Sequence, residues 1–259
     1  MAKTITTAFI TDIINGIKVN SSIKCDIRNY ANRTSRKVSY IVMHYTGNSK
    51  DNAKNNAKYF SGTSCKASAH FFVDDAAIYQ SVELRDIAWH CGGSSYYHST
   101  CRNSNAFGIE MCCTAGNYTV SQKTKENAAY LCANLCKRLG ITAQDVDTYV
   151  LRHYDITHKN CPAQMAGSSN KEWDAFKKDV KSILTTGAIS KEVAAASKVS
   201  YLVTITADTL NVRKGAGTNY DVVTTVKKGE VYTIVEENNG WGKLKSGAGW
   251  ISLKYTKKK

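Results

Sequence analysis

Val38-Ser-Tyr-Ile-Val-Met43 carries β-branched and aromatic residues with apolar groups on both faces, and it runs into His44-Tyr-Thr-Gly47. This pattern predicts a strand buried inside a sheet, ending where the glycine lets the chain turn. Working outward, Phe107-Gly-Ile-Glu-Met111 reads as a second such strand, and Thr148-Tyr-Val-Leu-Arg152 as a third that enters a loop from His153 to Pro162. His70–Val73 and Ala77–Gln80 flank Asp74-Asp75 as a hairpin would. Asn52–Phe60 is a short polar helix. A longer helix carries Ala128, Leu131, Cys132, Leu135, Cys136 and Leu139 at helical spacing and stops at Gly140. Ser169 and Glu172 are spaced as a capping box ahead of a helix that buries Trp173, Phe176, Val180 and Leu184. Strands interleaved with helices make this first domain α/β, spanning residues 1–184.

The composition changes over residues 185–200 to Thr, Gly, Ala, Ser and Lys without bulky aromatics, which predicts a linker, helical in part over Glu192–Ala196. From Tyr201 to Lys259 the pattern is all-β. Tyr201–Thr206, Val222–Val226 and Val231–Val235 are short strands separated by Lys228-Gly229, Asn238-Asn-Gly240 and Ser246-Gly-Ala-Gly249. Closely spaced strands with such turns predict a small barrel.

Thirty-five Lys and Arg against 21 Asp and Glu give a net charge of +14 over 259 residues, a balance that favours polyanionic partners. No recognised nucleic-acid motif accompanies the charge, so nucleic acid is not expected as a partner. No run approaches transmembrane length. The apolar stretch Ala8–Ile14 is broken by Asp12 and lacks a basic start and a small-residue cleavage site, so a signal peptide is not expected. Nine cysteines, with Cys112 next to Cys113 and Cys132 one helical turn from Cys136, do not form a secreted disulfide pattern. They suit synthesis in a reducing cytoplasm, as small buried apolar groups.

His153 and Cys161 are separated by seven residues, and His44 ends a different strand. Zinc takes imidazole nitrogen and thiolate, and a catalytic site keeps three protein ligands with a fourth position open. Five segments sharpen this spacing. They are Tyr40-Ile-Val-Met-His-Tyr-Thr-Gly47, Ser68-Ala-His-Phe-Phe-Val73, Ala88-Trp-His-Cys-Gly92, Phe107-Gly-Ile-Glu-Met111 and His153-Tyr-Asp-Ile-Thr-His-Lys-Asn-Cys-Pro162. In that order the set closely resembles the type 2 zinc N-acetylmuramoyl-L-alanine amidases, which include phage endolysins and bacterial autolysins and are similar to peptidoglycan recognition proteins. The resemblance runs from about residue 36 to about residue 180.

The resemblance implies a mixed β-sheet flanked by helices and one Zn2+ held by His44, His153 and Cys161. It implies Glu110 as the acidic residue that takes a proton from water, and Lys159 as the cation that steadies the oxyanion. His70, His90 and Trp89 become candidates for a place beside the metal or in the substrate cleft. His98 and His158 receive no role. Ala69 stands where some members have a tyrosine, which places the chain with the glutamate-using branch. Cys65, Cys91, Cys101, Cys112 and Cys113 contain no CxxC pair and are not expected to hold a second metal.

Leu210-Asn-Val-Arg-Lys-Gly-Ala-Gly-Thr-Asn-Tyr220, with Trp241-Gly-Lys-Leu244 and Gly249-Trp-Ile251, resembles bacterial SH3-like domains, which commonly bind wall peptides or glycans. Tyr220, Trp241 and Trp250 are the candidate wall contacts, with at least one tryptophan expected in the barrel core. Together the two resemblances imply a hydrolase of the bond between N-acetylmuramic acid and L-alanine. Its partners would be peptidoglycan and anionic wall polymers. The protein would be made in the cytoplasm and would act on the wall after release, as a phage or prophage endolysin does. A host autolysin and a non-catalytic peptidoglycan-recognition protein remain the alternatives.

Overall fold

The computed structural model describes residues 2–62, 65–189, 200–218, 220–238 and 240–259. The chain divides into two compact units, Met1–Ser190 and Lys191–Lys259. Most of the predicted linker, residues 190–199 with the helix over Glu192–Ala196, lies outside the described residues.

In the first unit a five-stranded sheet runs in the order Val150–Arg152, Tyr40–Tyr45, Ala106–Met111, Phe71–Val73, Ile78–Gln80. The first four strands are parallel and the last is antiparallel to its neighbour. One face, with Ile41, Met43, Phe107, Ile109 and Met111, packs against α2 (Gln122–Leu139) and α5 (Lys171–Thr186). The other carries Tyr40 and Val42 toward Leu151 and Ile156, and Phe72 toward α1 (Ala53–Gly62). Both faces are covered, which is why the central strands read as nearly continuous apolar runs.

The segment before the first central strand belongs to this unit. Lys3–Ile5 pairs antiparallel with Arg36–Val38, while Ile10, Ile14 and Val19 enter the main core. Asn20 bridges to Tyr79 along the outer strand, so that edge is partly covered.

Several local expectations need correction. Thr148 and Tyr149 close a helical turn, α3 (Val146–Tyr149), because both amides donate to Asp145 O at 3.0 and 3.1 Å, and the strand starts only at Val150. The loop expected from His153 opens as α4 (His153–Thr157), capped by Asp155, whose carboxylate accepts from Arg152 N at 2.7 Å. The last helix is capped by Asn170 rather than Ser169. Asn170 Oδ1 accepts from Glu172 N at 2.9 Å and Trp173 N at 3.1 Å, while Ser169 sits in the left-handed region at φ 54°. That helix buries Ile183, leaves Leu184 half-buried, and continues two residues past the expected boundary to Gly187 at φ 81°.

The second unit is a seven-stranded antiparallel sheet. Its order is Val222–Lys227, Thr209–Arg213, Trp250–Ser252, Trp241–Leu244, Val231–Asn238, Tyr201–Ile205, Thr256–Lys258. Its core is Val203, Ile205, Leu210, Val212, Val226, Ile234, Leu244 and Ile251. Neither tryptophan joins that core, contrary to expectation. Side chains alternate along a strand, so the inward positions Gly242, Leu244 and Ile251 turn Trp241 and Trp250 to the other face, where both are half-buried. No helix among the described residues is long and apolar enough to cross a membrane.

Arg152 ties the first unit together below the candidate site. Its guanidinium binds Asp155 at 2.6 Å and donates to the carbonyls of Met165 and Gly167, so strand, α4 and the following loop share one charge. Removing one partner of a buried pair leaves the rest uncompensated, at about 3 kcal/mol. Arg152→Met should therefore lower stability by about that amount in urea unfolding of the whole chain. A change smaller than about 0.5 kcal/mol, the size of an ordinary surface substitution, would refute the clamp.

Candidate metal centre

Parallel pairing builds the centre. Glu110 pairs with His44 in register, and Arg152 pairs with Met43, so His153 follows at the level of His44 on the next strand. Side chains at one level of a parallel sheet share a face, so His44 and Glu110 stand side by side and His153, the first residue of α4 after Arg152, joins them. Cys161 returns to the same place through the loop after α4, where Tyr154 N donates to Cys161 O at 2.9 Å. Among the described residues, His44, His153 and Cys161 form the one group of metal-ligating side chains, all buried, with ligand atoms within 4.8 Å of one another.

The hydrogen bond of His153 defines which nitrogen it offers. His153 Nε2 lies 2.9 Å from Gly92 O, a carbonyl that can only accept, so the proton is on Nε2 and the Nδ1 lone pair is free. His44 Nε2 lies 3.0 Å from His90 Nδ1, and His44 Nδ1 faces Cys161 Sγ at 3.7 Å. An imidazole that ligates through one nitrogen and donates through the other is the usual metal-site arrangement. Two neutral imidazoles and a thiol, buried and convergent, fit Zn2+.

Burial sets the titration of all four groups. It holds His44 well below the usual histidine range, with His90 and His153 adding to the effect, and takes His153 down to about 4. It pushes Cys161 up to about 12, with Glu110 adding to the rise. Glu110 is raised to about 7, chiefly by burial and opposed by Lys159, and its Oε2 is buried without a partner. A carboxyl that titrates near neutrality can accept and release a proton at working pH. Lys159 is exposed at the rim.

A pocket of about 170 Å³ is lined by His44, Trp89, His90, Glu110, His153, Lys159 and Cys161. It shares Thr46, Phe60 and Glu110 with a larger cleft of about 570 Å³ that extends along Asn48, Lys50, Asp51, Asn55 and Tyr59. Trp89 and His90 thus line the site, as expected of cleft residues. His70 does not: it is wholly buried, accepts from Gly108 N at 3.0 Å and contacts Arg36 Nη2 at 2.8 Å. His98 accepts from Thr100 N and Cys101 N, and His158 stacks between Tyr97 and Tyr154.

Sequence reasoning missed Arg36 and Asp51. Arg36 is a buried guanidinium bound to the carbonyls of Leu84, Asn103, Ser104 and Ala106. Asp51 holds the cleft wall through Asn48, Asn56 and Cys113 N. Arg36 acts across more than thirty positions of chain, as does the Asp51 bond to Cys113 N, and no local pattern marks these contacts.

In the second unit a groove of about 400 Å³ is lined by Leu210, Arg213, Trp241, Lys254 and Tyr255, among others. Of the three candidate wall contacts only Trp241 lines it. Tyr220 is half exposed and rests on Gly215, where a Cβ would come within 2.6 Å of the ring, and Trp250 lies under Lys243.

Residues 34–164 match the family model described as N-acetylmuramoyl-L-alanine amidase, and residues 208–257 match the bacterial SH3 domain. The chain is 34% identical to the N-acetylmuramoyl-L-alanine amidase CwlL of Bacillus licheniformis, over 63% of this chain and 46% of that protein. It is 34% identical to the amidase BlyA of Bacillus subtilis, over 60% of this chain and 44% of that protein. The chain therefore spans less than half the length of these relatives. Among solved structures, the catalytic domain of XlyA is 26% identical with a TM-score of 0.53, covering 63% of this chain and 99% of that domain. A mutant endolysin from Bacillus subtilis is 27% identical with a TM-score of 0.52 over the same shares.

The raised carboxyl of Glu110 has a thermodynamic signature in the metal-free protein. Its folded value of about 7 lies above the ordinary 4.5, so the folded chain holds this proton more tightly than the unfolded chain. The associated stability is fully present below pH 4.5 and is lost as pH rises to about 7. Metal-free Glu110→Gln should then exceed the wild type by on the order of 3 kcal/mol above neutrality, the difference closing toward acid pH. Chelated samples unfolded in urea across this range would measure it. A difference that does not vary with pH would mean that another group titrates.

Proposed function

This chain belongs to the N-acetylmuramoyl-L-alanine amidase family, and we propose that it is a zinc-dependent hydrolase of the amide bond between the lactyl group of N-acetylmuramic acid and L-alanine. One observation carries the proposal: three buried ligand atoms within 4.8 Å of one another beside the unpaired Oε2 of Glu110. His44, His153 and Cys161 would hold the metal, which when bound supplies Lewis acidity toward the amide carbonyl and toward water.

The remaining steps fall to the chain's own side chains. Glu110 takes the proton of the attacking water at Oε2 and returns it to the leaving nitrogen of L-alanine. Lys159, at the pocket rim, offers positive charge to the carbonyl oxygen as negative charge develops there. The larger cleft beyond Thr46, with its Asn, Ser and Lys side chains, has the polar lining that a glycan or stem peptide requires. A purely recognising protein would need neither three convergent ligand atoms nor a buried carboxyl oxygen left unpaired beside them, and this supports the catalytic reading. The second unit serves as the wall anchor in this reading, and release of the enzyme to the wall fits an endolysin.

Digestion of purified peptidoglycan should release new L-alanine amino groups and no new reducing sugar ends. Glu110→Gln and Lys159→Ala should each lose about a hundredfold or more in turnover while remaining folded. New reducing ends without amines would exclude an amidase.

The division of labour is tested separately by ending the chain after α5. Hydrolysis of a soluble muramyl-peptide should be nearly unchanged, while binding to whole sacculi weakens, most visibly at moderate salt. Equal sacculus binding by the full and shortened chains would remove the anchoring role.

A further inference from the structure

We propose that His90 is the positioning residue for His44, and that Gly108 is glycine so that the His90 ring can take this place. The inference rests on the metal-site reading above. To offer its Nδ1 lone pair toward Cys161, His44 must carry its proton on Nε2. The only group within hydrogen-bonding distance of that nitrogen among the described residues is His90 Nδ1, at 3.0 Å. The ring centroids are 5.1 Å apart with planes at 89°, and the 3.0 Å between the two nitrogens is the length of a hydrogen bond.

His153 relies on a backbone carbonyl, an acceptor in every state. His44 relies on a second imidazole, which accepts only when its own proton sits on the far nitrogen. That far nitrogen, His90 Nε2, is buried without a hydrogen bond of regular geometry, and the Ala106 backbone beside the ring favours a proton there. The ring's orientation is thus not dictated by a bond at Nε2. It is set from the backbone side, where His90 N and Cys91 N both donate to Asn103 Oδ1 at 2.9 and 2.7 Å, from below by the central strand, and at Nδ1 itself by Cys91 Sγ at 3.2 Å as well as by His44. A Cβ on Gly108 would lie 2.7–2.9 Å from His90 Cγ, Cδ2 and Nδ1, closer than real Cβ atoms approach. Any other residue there would displace the accepting nitrogen itself. Gly108 also donates its own N–H to His70 Nδ1, so one position of the strand seats two histidines behind the metal ligands.

The test is zinc affinity by competition with a chromophoric chelator, on the full chain. Wild type should first bind about one equivalent of zinc. If it binds none, the metal reading fails and the positioning role fails with it. Given tight binding, His90→Leu should weaken affinity by about 10–100-fold, the range for loss of such a partner. His90→Asn, whose Oδ1 can stand where Nδ1 stood, should stay within about threefold of wild type. Gly108→Ala should weaken binding by about tenfold or more with every polar group still present.

Equal losses in the Leu and Asn variants, or wild-type affinity in the Leu and Ala variants, would overturn the proposal while leaving the zinc reading intact. Where a variant fails to fold, ring nitrogen NMR of the metal-free wild type decides. A proton on His44 Nε2 with a coupling across to His90 Nδ1 supports the role, and a proton on His44 Nδ1 overturns it.

Discussion

The parallel pairing of Tyr40–Tyr45 with Ala106–Met111 on one side and Val150–Arg152 on the other is the constraint on which the site depends. A one-residue slip in the first ladder would turn His44 or Glu110 to the face packed by α2 and α5, and one in the second would separate His153 from His44. The apolar character of both strands resists such a slip, because Ile41, Met43, Phe107 and Ile109 must all remain under those helices. The core therefore sets the chemistry indirectly: the same alternation that buries Met43 and Ile109 brings His44 and Glu110 together. Ligands also tend to sit beyond the carboxyl ends of parallel strands, which is where these side chains lie.

The centre needs a second set of contacts, made by residues that never reach the pocket. Arg152 draws α4 and the loop of Cys161 onto the strand that carries His153. Arg36, taken down to about 9 by burial, satisfies four carbonyls beneath the pocket and contacts His70. These arginines act as buried multi-donor clips, a role that suits the rigid fork of a guanidinium. The cleft is held in a different way, by the carboxylate of Asp51 accepting from Asn48, Asn56 and Cys113 N.

What could be read from the sequence divides along the same line. Strands at Tyr40, Phe71 and Ala106, the helix ending at Gly140 and the trio His44, His153 and Cys161 were legible, because periodicity and motif order are local or semi-local signals. The turn at Val146–Tyr149 was not, since β-propensity in Thr148-Tyr-Val-Leu-Arg152 outweighed a helical turn fixed by Asp145. Asn170 displaced Ser169 as cap for the similar reason that both residue types cap well and only the backbone of Ser169, at φ 54°, rules it out. The facing of Trp241 and Trp250 depends on register within the sheet, and aromatic size argued for the wrong side. Arg36, the Asp51 bond to Cys113 N and the seat that Gly108 makes for His90 join positions apart in the chain, so nothing local announces them.

The electrostatics of the pocket converge on one requirement. His44, His153, Cys161 and Glu110 are each shifted, and in each the largest cause is burial, which disfavours charge. A buried group that cannot ionise normally needs a neutral partner for its polar atoms, yet Glu110 Oε2 has none and the ligand atoms point at one another. A second set of hydrogen bonds would relieve one or two of these groups. A single dication relieves them all in the same sense, because it takes lone pairs from neutral imidazoles and favours thiolate and carboxylate over thiol and acid. The arrangement is costly as a hydrogen-bonded core and coherent as a metal site, and the Nε2 partners His90 and Gly92 O already hold both imidazoles in the tautomer that such an ion demands.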